Sequence, residues 1–274
     1  RPRPVGVEVP VNIWNSQVEK FSDNLIGHPH QGPNVNTDRI EEAASILNSS
    51  KRPVIVVGGG AQNFSIEINN LSSSLSAPVI AFRNGHGIVD GSSQLSVTLP
   101  AGRELWGHCD VVLALGTRCQ TAQMQWGVDD QMKIIHIDID QDEIGRINEP
   151  ELGINADLKD ALPLLLKSIE GKEEYRNDWL KTINEVKLRY SKMFDEKLAP
   201  QLAWLSAIRA ELPRDGIFVD ELTQVGYVSR FAFPSYKPRT FLSTGYQGTL
   251  GWGIASAMGA AHARRDVPVV SISG

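Results

Sequence analysis

Three continuous apolar runs constrain the fold of this chain more than any other feature of its sequence. They read Pro-Val-Ile-Val-Val at 53–57, Val-Val-Leu-Ala-Leu at 111–115 and Ile-Ile-His-Ile at 134–137. Strands that are buried on both faces have such runs, and they occur in parallel sheets with helices on each side. Helical patterns alternate with apolar runs over residues 37–169. We therefore expect an α/β fold, with a Rossmann-like parallel sheet covered by helices on both faces.

The helical patterns are amphipathic. The first predicted helix begins near Thr37, and Asp38 with Glu41 has the spacing of a capping box. An apolar stripe is predicted to face the core from this helix, formed by Ile40, Ala43, Ala44 and Leu47. Further helices are predicted at 65–75, 103–106, 141–146 and 158–169. Residues 171–197 are highly charged with one apolar stripe, which predicts a connecting helix docked between domains.

Glycine and polar residues follow the apolar runs, at the edge where open α/β sheets bind ligands. Gly58–Gly60 follows the first run but lacks the spacing of a dinucleotide-binding loop, so nucleotide binding and a simple tight turn are equal alternatives. Thr117 and Arg118 follow the second run, and Asp138 and Asp140 the third. For Asp140 in particular, capping of the next helix is the alternative to ligand binding.

A second α/β pattern begins near residue 198. Helices are predicted at 200–212, within 221–233, and in the later part of 241–264, where small residues including Ala255 and Ala261 occur. Strands are predicted at 217–220 and 267–273. Before the last helix, four glycines fall within nine residues: Gly245, Gly248, Gly251 and Gly253. This density predicts backbone angles or close approaches that need glycine, and the helix N-terminus is a potential anion site. Packing without a ligand is the commoner alternative.

Charge and cysteine content exclude some functions. The net charge is −5 and there is no basic block, which argues against a general nucleic-acid or anionic-membrane binder. Cys109 and Cys119 match no metal spacing, and a reducing cytoplasmic compartment is expected. His28 and His30 are interpreted as part of a solvated linker, not a metal site. The chain lacks an initial Met and opens on a predicted strand at 5–9, so we expect a preceding segment.

Three stretches together resemble the thiamine-diphosphate enzymes of the acetolactate synthase and 2-oxo-acid decarboxylase family. They are Gly245–Ala260, Val269–Gly274, and the middle unit with 110–118 and 135–146. The resemblance covers essentially the whole chain, and it implies a division into domains. Residues 1–14 would be the tail of a pyrimidine-binding domain, 15–36 a linker, 37–169 the central domain, 170–197 a connecting helix, and 198–274 the first half of a diphosphate-binding domain.

The resemblance also implies roles for residues. Thr223 and Gln224 would contact the diphosphate of the cofactor, although a helix cap at Thr223 or Asp220 is the alternative. The run Gly248-Thr249-Leu250-Gly251 resembles the loop that meets the aminopyrimidine ring. There the backbone of Gly248 and Leu250 would bond the ring edge, and the Leu250 side chain would wedge the cofactor into its bent conformation. The alternative for Leu250 is an ordinary core leucine.

The implied activity is that of a lyase or carboligase (a transferase) on 2-oxo acids, with thiamine diphosphate and Mg2+ as cofactors. FAD or ADP on the central domain is a further option, and a homodimer or homotetramer is implied. The activating glutamate and the Mg2+ ligands of the family have no counterpart in these residues, so no catalytic residue is assigned and the chain is expected to be an inactive part of a longer enzyme. The alternatives are the same fold acting on an acyl-CoA or sulfonated substrate, and a non-catalytic nucleotide-binding or scaffold module.

Overall fold

A computed structural model describes residues 6–17, 32–171, 176–245 and 247–274. The strands form two sheets, and each sheet with its helices is treated below as a unit. The larger unit contains β1 Pro53–Val57, β2 Val79–Ala81, β3 Ser96–Val97, β4 Val111–Leu115, β5 Lys133–Asp138 and β6 Leu152–Asn155. The smaller unit contains β7 Ile217–Val219, β8 Phe241–Leu242 and β9 Val269–Ser271.

Eight α-helices accompany these strands in the described part of the chain. The larger unit has α1 Thr37–Ser49, α2 Ser65–Leu75, α3 Leu99–Trp106, α4 Leu158–Ser168 and α5 Asn177–Lys197. The smaller unit has α6 Ala199–Glu211, α7 Gln224–Ala232 and α8 Trp252–Ala263. Among the described residues, no helix is both long enough and apolar enough to cross a membrane.

The larger sheet is parallel throughout, with the strand order β3-β2-β1-β4-β5-β6. The three apolar runs form its central strands β1, β4 and β5, and the side chains of Val54–Val57 are fully buried. Helices α1, α2 and α4 cover one face, and α3 and α5 cover the other. The predicted α/β class and its two covered faces are therefore confirmed.

Helix α5 connects the two units, as its stripe predicts. Its first half packs on the larger sheet through Trp179, Ile183 and Val186, and the Trp179 indole N–H donates to the Pro53 carbonyl at 3.0 Å. Near its end, the Phe194 ring lies 5.0 Å from the ring of Phe231 in the smaller unit. The helix is thus docked on both units.

The smaller sheet is also parallel, in the order β8-β7-β9. Its core is aromatic, with Phe218 of β7 stacked on Phe233 at a centroid distance of 4.2 Å. Because both neighbours of β7 run parallel to it, their carboxyl ends meet at one edge. The residues that follow these strands are therefore brought together.

Several sequence predictions are wrong in detail. Residues 6–10 form no strand and are exposed, without the neighbouring strand that a sheet requires, and Val5 lies outside the described residues. His28 and His30 also lie outside them. The helix predicted at 141–146 is a 3₁₀ turn over Gln141–Glu143. Helix α1 is capped by Asn36, which accepts from the Arg39 N–H, and not by Asp38.

Where Gly87 and Gly91 meet residues 234–238, the contact between the two units has no side chain on the larger side. The Gly91 N–H donates to the Ser235 carbonyl at 2.8 Å. A Cβ atom on Gly87, whose φ is +79°, would overlap the Lys237 carbonyl oxygen. Next to this contact, the buried His86 ring stacks on Phe241 at 4.5 Å. Both glycines are needed because backbone lies directly against backbone.

Candidate functional site

The carboxyl edge of the smaller sheet is the candidate site, because three segments converge there. Residues 220–224 follow β7, residues 243–251 follow β8, and residues 272–274 follow β9. A Cβ atom on Gly248 would lie 3.1 Å from Leu222 Cδ1, and one on Gly274 would lie 2.9 Å from Thr223 Cγ2. Glycine thus allows both later segments to close on Leu222 and Thr223. Sequence reasoning missed the part played by Leu222.

Thr223 and Gln224 lie at the N-terminus of α7. The Thr223 hydroxyl accepts the Gly226 N–H at 2.9 Å and caps this helix. The cap predicted for Thr223 is therefore confirmed, and the cap predicted for Asp220 is wrong. Gln224 is exposed as the first helical residue. The other N–H groups of the first turn, those of Gln224 and Val225, have no partner within the helix.

Leu250 is 80% exposed, so its interpretation as a core leucine is wrong. It stands beside the exposed Thr249, between two glycines in left-handed backbone conformation, Gly248 at φ +58° and Gly251 at φ +75°. No atom would lie within 4 Å of a Cβ on Gly251. The loop therefore holds an apolar side chain at the edge of open space, as a wedge against a ligand requires.

The N-terminus of α8 is occupied by a side chain of the protein itself. The buried Glu221 carboxylate accepts the Gly253 N–H at 3.3 Å and the Ser273 hydroxyl at 2.9 Å. The Ser273 hydrogen bond, followed by that from the Gly253 backbone, lowers the pKa of Glu221. The prediction of an anion site for an external ligand at this helix is therefore corrected. A carboxylate directly after a buried strand was the missed signal.

A buried ion pair fixes the loop that carries Leu250. The Arg230 Nε donates to Asp220 Oδ2 at 2.7 Å, and the Ser243 hydroxyl donates to the same oxygen at 3.1 Å. Burial raises the pKa of Asp220, and the hydrogen bond from Arg230 opposes that shift. The pair joins the end of β7, helix α7 and the exit of β8. The sequence offers no local signal for it, because its members lie 10 and 23 residues apart.

The larger unit also reaches this loop. Arg83 donates through Nη1 to the carbonyl oxygen of Gly245. Burial lowers the pKa of the nearby His86 to about 4, against a weaker opposing hydrogen bond with the Arg230 backbone. The imidazole is therefore neutral near pH 7. Sequence reasoning missed both residues, which lie more than 140 positions away from Arg230 and Gly245.

The edge of the larger sheet is built around two glycine turns. The Gly60 N–H donates to the Gly116 carbonyl at 3.0 Å, and a Cβ on Gly58 would lie 2.7 Å from the same oxygen. The tight-turn interpretation of Gly58–Gly60 is thus confirmed, whereas nucleotide binding stays a prediction. Asp140 caps the 3₁₀ turn that follows it, by accepting the Asp142 N–H at 3.3 Å. Among the described residues, no cluster of three metal-ligating side chains occurs.

The edge of the smaller sheet is compatible with thiamine diphosphate. It offers the N-terminus of α7 to an anionic diphosphate and a glycine-lined loop to a flat ring, where a Cβ at Gly245 or Gly251 would meet no atom within 4 Å. The negative charge of Glu221 is compensated by the N-terminus of α8 and by the Ser273 hydroxyl. The residues present therefore fit this cofactor in chemistry and in space.

Comparisons with known proteins agree with this geometry. Residues 40–165 match the family model described as thiamine pyrophosphate enzyme, central domain, and residues 223–274 match the model described as thiamine pyrophosphate enzyme, C-terminal TPP binding domain. Thiamine pyrophosphate is another name for thiamine diphosphate. The second match begins at Thr223, the residue that caps α7.

Curated relatives match along the whole chain. The large subunit of acetolactate synthase isozyme 1 from Escherichia coli K12 is 26% identical over 286 residues, covering 100% of this chain and 50% of the relative. Acetolactate synthase 2 from Nicotiana tabacum is 31% identical, covering 100% and 44%. Glyoxylate carboligase from Escherichia coli O157:H7 is 28% identical, covering 100% and 49%. The chain therefore spans about half the length of these relatives.

Proposed function

Because the chain belongs to the thiamine pyrophosphate enzymes, we propose that its protein is a thiamine-diphosphate-dependent lyase or carboligase acting on 2-oxo acids. The observation that carries this proposal is the convergence of three strand ends on Leu222 and Thr223, with Leu250 exposed above them. The similarity to acetolactate synthases and to glyoxylate carboligase supports the substrate class. A related fold with an acyl-CoA or sulfonated substrate is the second candidate, and a panel of substrates distinguishes the two.

The residues of this chain would bind and orient the cofactor. When bound, thiamine diphosphate supplies a carbanion that adds to the substrate carbonyl and takes up the electrons released with CO2. The N-terminus of α7 at Thr223 and Gln224 would hold the diphosphate. The backbone of Gly248 and Leu250 would bond the ring edge, and the Leu250 side chain would press between the two rings of the cofactor.

Other residues would keep this arrangement rigid. Glu221 neutralises the N-terminus of α8, and the N-terminus of α7 would face the diphosphate. The Asp220–Arg230 pair and Arg83 hold the loop at both ends of 243–245. A preorganised loop lowers the ordering cost of cofactor binding.

We propose further that Mg2+ accompanies the diphosphate, and that the protein is a cytoplasmic homodimer or homotetramer. Cys109 and Cys119 are free and buried, which supports a reducing compartment. FAD or ADP would lie at the edge formed by Gly58–Gly60 and Arg118. The proposed domains are 37–169 and 198–274, joined by 170–197, with 1–14 and 15–36 as a preceding tail and a linker.

The test measures cofactor binding by the full-length protein. The protein is titrated with thiamine diphosphate in the presence and in the absence of Mg2+. We expect saturable binding that requires the divalent cation. Gly248→Ala should weaken binding, because its Cβ would approach Leu222 and strain a φ of +58°. Gly171→Ala is a matched control, since Gly171 has a similar φ of +61° but no atom within 4 Å of its Cβ position.

Turnover on a panel of 2-oxo acids then tests the reaction. Release of CO2 from at least one acid, lost on removal of thiamine diphosphate, is the expected result. A protein that binds no thiamine diphosphate with or without Mg2+ would refute the proposal. Activity only on acyl-CoA or sulfonated compounds would favour the second candidate.

A further inference from the structure

The short strand β8 is held by contacts from the larger unit as well as by its own sheet. It consists of Phe241 and Leu242, and in the described sheet it has one neighbouring strand, β7. The loop that carries Leu250 follows it along the chain. A strand this short gains little stability from its own pairing. The course of the loop therefore depends on the contacts that hold the chain on either side of β8.

Arg239, two residues before β8, is bound to the larger unit by its backbone and by its side chain. Its N–H donates to Gln62 Oε1 at 3.0 Å, and its Nη2 donates to Asn63 Oδ1 at 2.6 Å. The Gln62 side chain is itself fixed, because its Nε2 donates to the carbonyl oxygen of Asn84. Gln62 and Asn63 directly follow the 3₁₀ turn Gly59–Ala61, at the carboxyl edge of the larger sheet.

The backbone of Arg239 has a conformation that residues with a side chain rarely adopt. Its φ is +61°, in the left-handed region, which costs free energy for most residues other than glycine. Such residues persist where their surroundings hold them, and they cluster at functional sites. Here the Gln62 amide accepts the Arg239 N–H and holds the residue at the point where the chain turns into β8.

Two further residues of the larger unit contact the same stretch of chain. The buried His86 ring stacks on Phe241 at a centroid distance of 4.5 Å, and Arg83 donates to the carbonyl oxygen of Gly245. Contacts from the larger unit therefore occur before, within and after β8. They fix both the direction in which the chain enters the strand and the point from which the loop continues.

We propose that Arg239 is a positioning residue for the reaction, which with Gln62 and Asn63 fixes the loop that carries Leu250 against the cofactor. Arg239 acts through the loop, and this role rests on the proposed function of that loop. A displacement of about 1 Å can cost roughly a hundredfold in rate, so even a small shift of the loop would lower turnover. The larger unit thereby takes part in the reaction without any nucleotide bound to it.

The first test measures steady-state kinetics of the full-length protein on the 2-oxo acid that the substrate panel identifies. Arg239→Asn removes the guanidinium but keeps a residue type that tolerates a positive φ, and Gln62→Met removes the acceptor of the Arg239 N–H. Both should lower turnover roughly tenfold or more and change the KM less than about threefold. Arg239→Lys keeps a cationic donor for Asn63 and should retain most of the turnover.

Arg214→Asn is the matched control. Arg214 is also an exposed arginine of the smaller unit that donates to the larger unit, at Asp90, but it lies before β7 and not beside β8. The turnover of this variant should equal that of the wild type. Equal losses in Arg214→Asn and Arg239→Asn would overturn the proposal, and so would wild-type turnover in both Arg239→Asn and Gln62→Met.

The second test contains no cofactor, so it separates a failure of this proposal from a failure of the proposed function. Hydrogen exchange by the amides of residues 247–252 should be about fivefold faster or more in Arg239→Asn and in Gln62→Met than in the wild type, and unchanged in Arg214→Asn. Faster exchange in a protein that binds no thiamine diphosphate would support the positioning of the loop and refute the proposed function. Unchanged exchange in both Arg239→Asn and Gln62→Met would overturn the positioning role, whatever the activity of the protein.

Discussion

Leu250 and His86 are the single residues from which function and pH dependence can be tested most directly. Leu250 contributes little to the core, since 80% of its surface is exposed. His86 is the opposite case, a titratable ring buried where the two units meet. A substitution at the first should change activity without changing stability, and a substitution at the second should change the pH dependence of stability.

Leu250→Gly should lower turnover of the full-length protein roughly tenfold to a hundredfold, because the cofactor would lose the side chain that sets its bend. Its affinity for thiamine diphosphate should fall less than about threefold, since most contacts are backbone. Leu250→Met keeps an apolar wedge and should retain most activity. Steady-state rates and cofactor titrations of the three proteins check this, and unchanged turnover in the glycine variant would remove Leu250 as the wedge.

His86→Gln should flatten the pH dependence of stability between about pH 6.5 and pH 4. The native state holds the pKa of His86 at about 4, so acid favours the unfolded chain, in which the ring protonates near its ordinary value of 6.5. The free energy of unfolding that the neutral His86 ring contributes is fully present above pH 6.5. It is lost as the pH falls from about 6.5 to about 4, and the loss at pH 4 is about 3 kcal/mol. Burial also lowers the pKa of His136, which stays in both proteins.

Urea denaturation at several pH values measures this difference. His108→Gln, at an exposed histidine, is the control for the substitution itself. Equal slopes for His86→Gln and the wild type would contradict the assignment of the acid sensitivity to His86.

At the scale of elements, the N-terminal cap of helix α7 can be tested by substitution. Thr223→Ala should destabilise the protein by about 1 kcal/mol, because the Gly226 N–H would lose the acceptor that caps the helix. Thr223→Ser keeps the hydroxyl and should stay close to the wild type. The measurement is the free energy of unfolding in urea. If alanine and serine variants are equally stable, the cap contributes nothing.

The elements that the sequence predicts well are those with a long or regular pattern. The helical spacing of the apolar stripe in α1 and the continuous apolar runs of the three strands both predict burial. The residues of the stripe and of the three runs are buried as expected. Strand β3 has two residues and depends on pairing with β2, so no local sequence pattern predicts it. The sequence predicts the start of a helix at 141–146, but Ile144 is extended and Gly145 has a φ of +76°, so only the 3₁₀ turn Gln141–Glu143 forms.

The candidate site was predictable only in part, for the same physical reason. Thr223 and Leu250 stand in recognisable positions after apolar strands, and their order along the chain identifies the edge. The contacts of Glu221 with Gly253 and Ser273, and of Arg83 with Gly245, join residues 32, 52 and 162 positions apart. Such pairs arise from strand order, which the local sequence does not encode.

At the scale of the whole molecule, the contact between the units depends on Gly87. Gly87→Ala should destabilise the protein by roughly 3 kcal/mol, because the Cβ would overlap the Lys237 carbonyl and strain a φ of +79°. Gly171→Ala shares the positive φ, at +61°, without any atom within 4 Å of its Cβ position, and should cost roughly 1 kcal/mol. The difference between the two variants isolates the contact between units.

Calorimetry checks this prediction and adds information about cooperativity. In the wild type the two units should unfold in one transition, whereas Gly87→Ala should separate the transition into two. Similar single transitions and equal stability in both alanine variants would show that the contact does not couple the units.

The contact at Gly87 and Gly91, called the seam below, also affects how such units can be exchanged between proteins in evolution. On the side of the smaller unit, the atoms nearest to these two glycines are backbone atoms of residues 234–238. Side chains there can change without altering it, whereas the two glycines on the other side cannot. A chimera that combines the larger unit with the smaller unit of a diverged relative therefore needs few matched positions at this seam, provided that the backbone after α7 keeps its course.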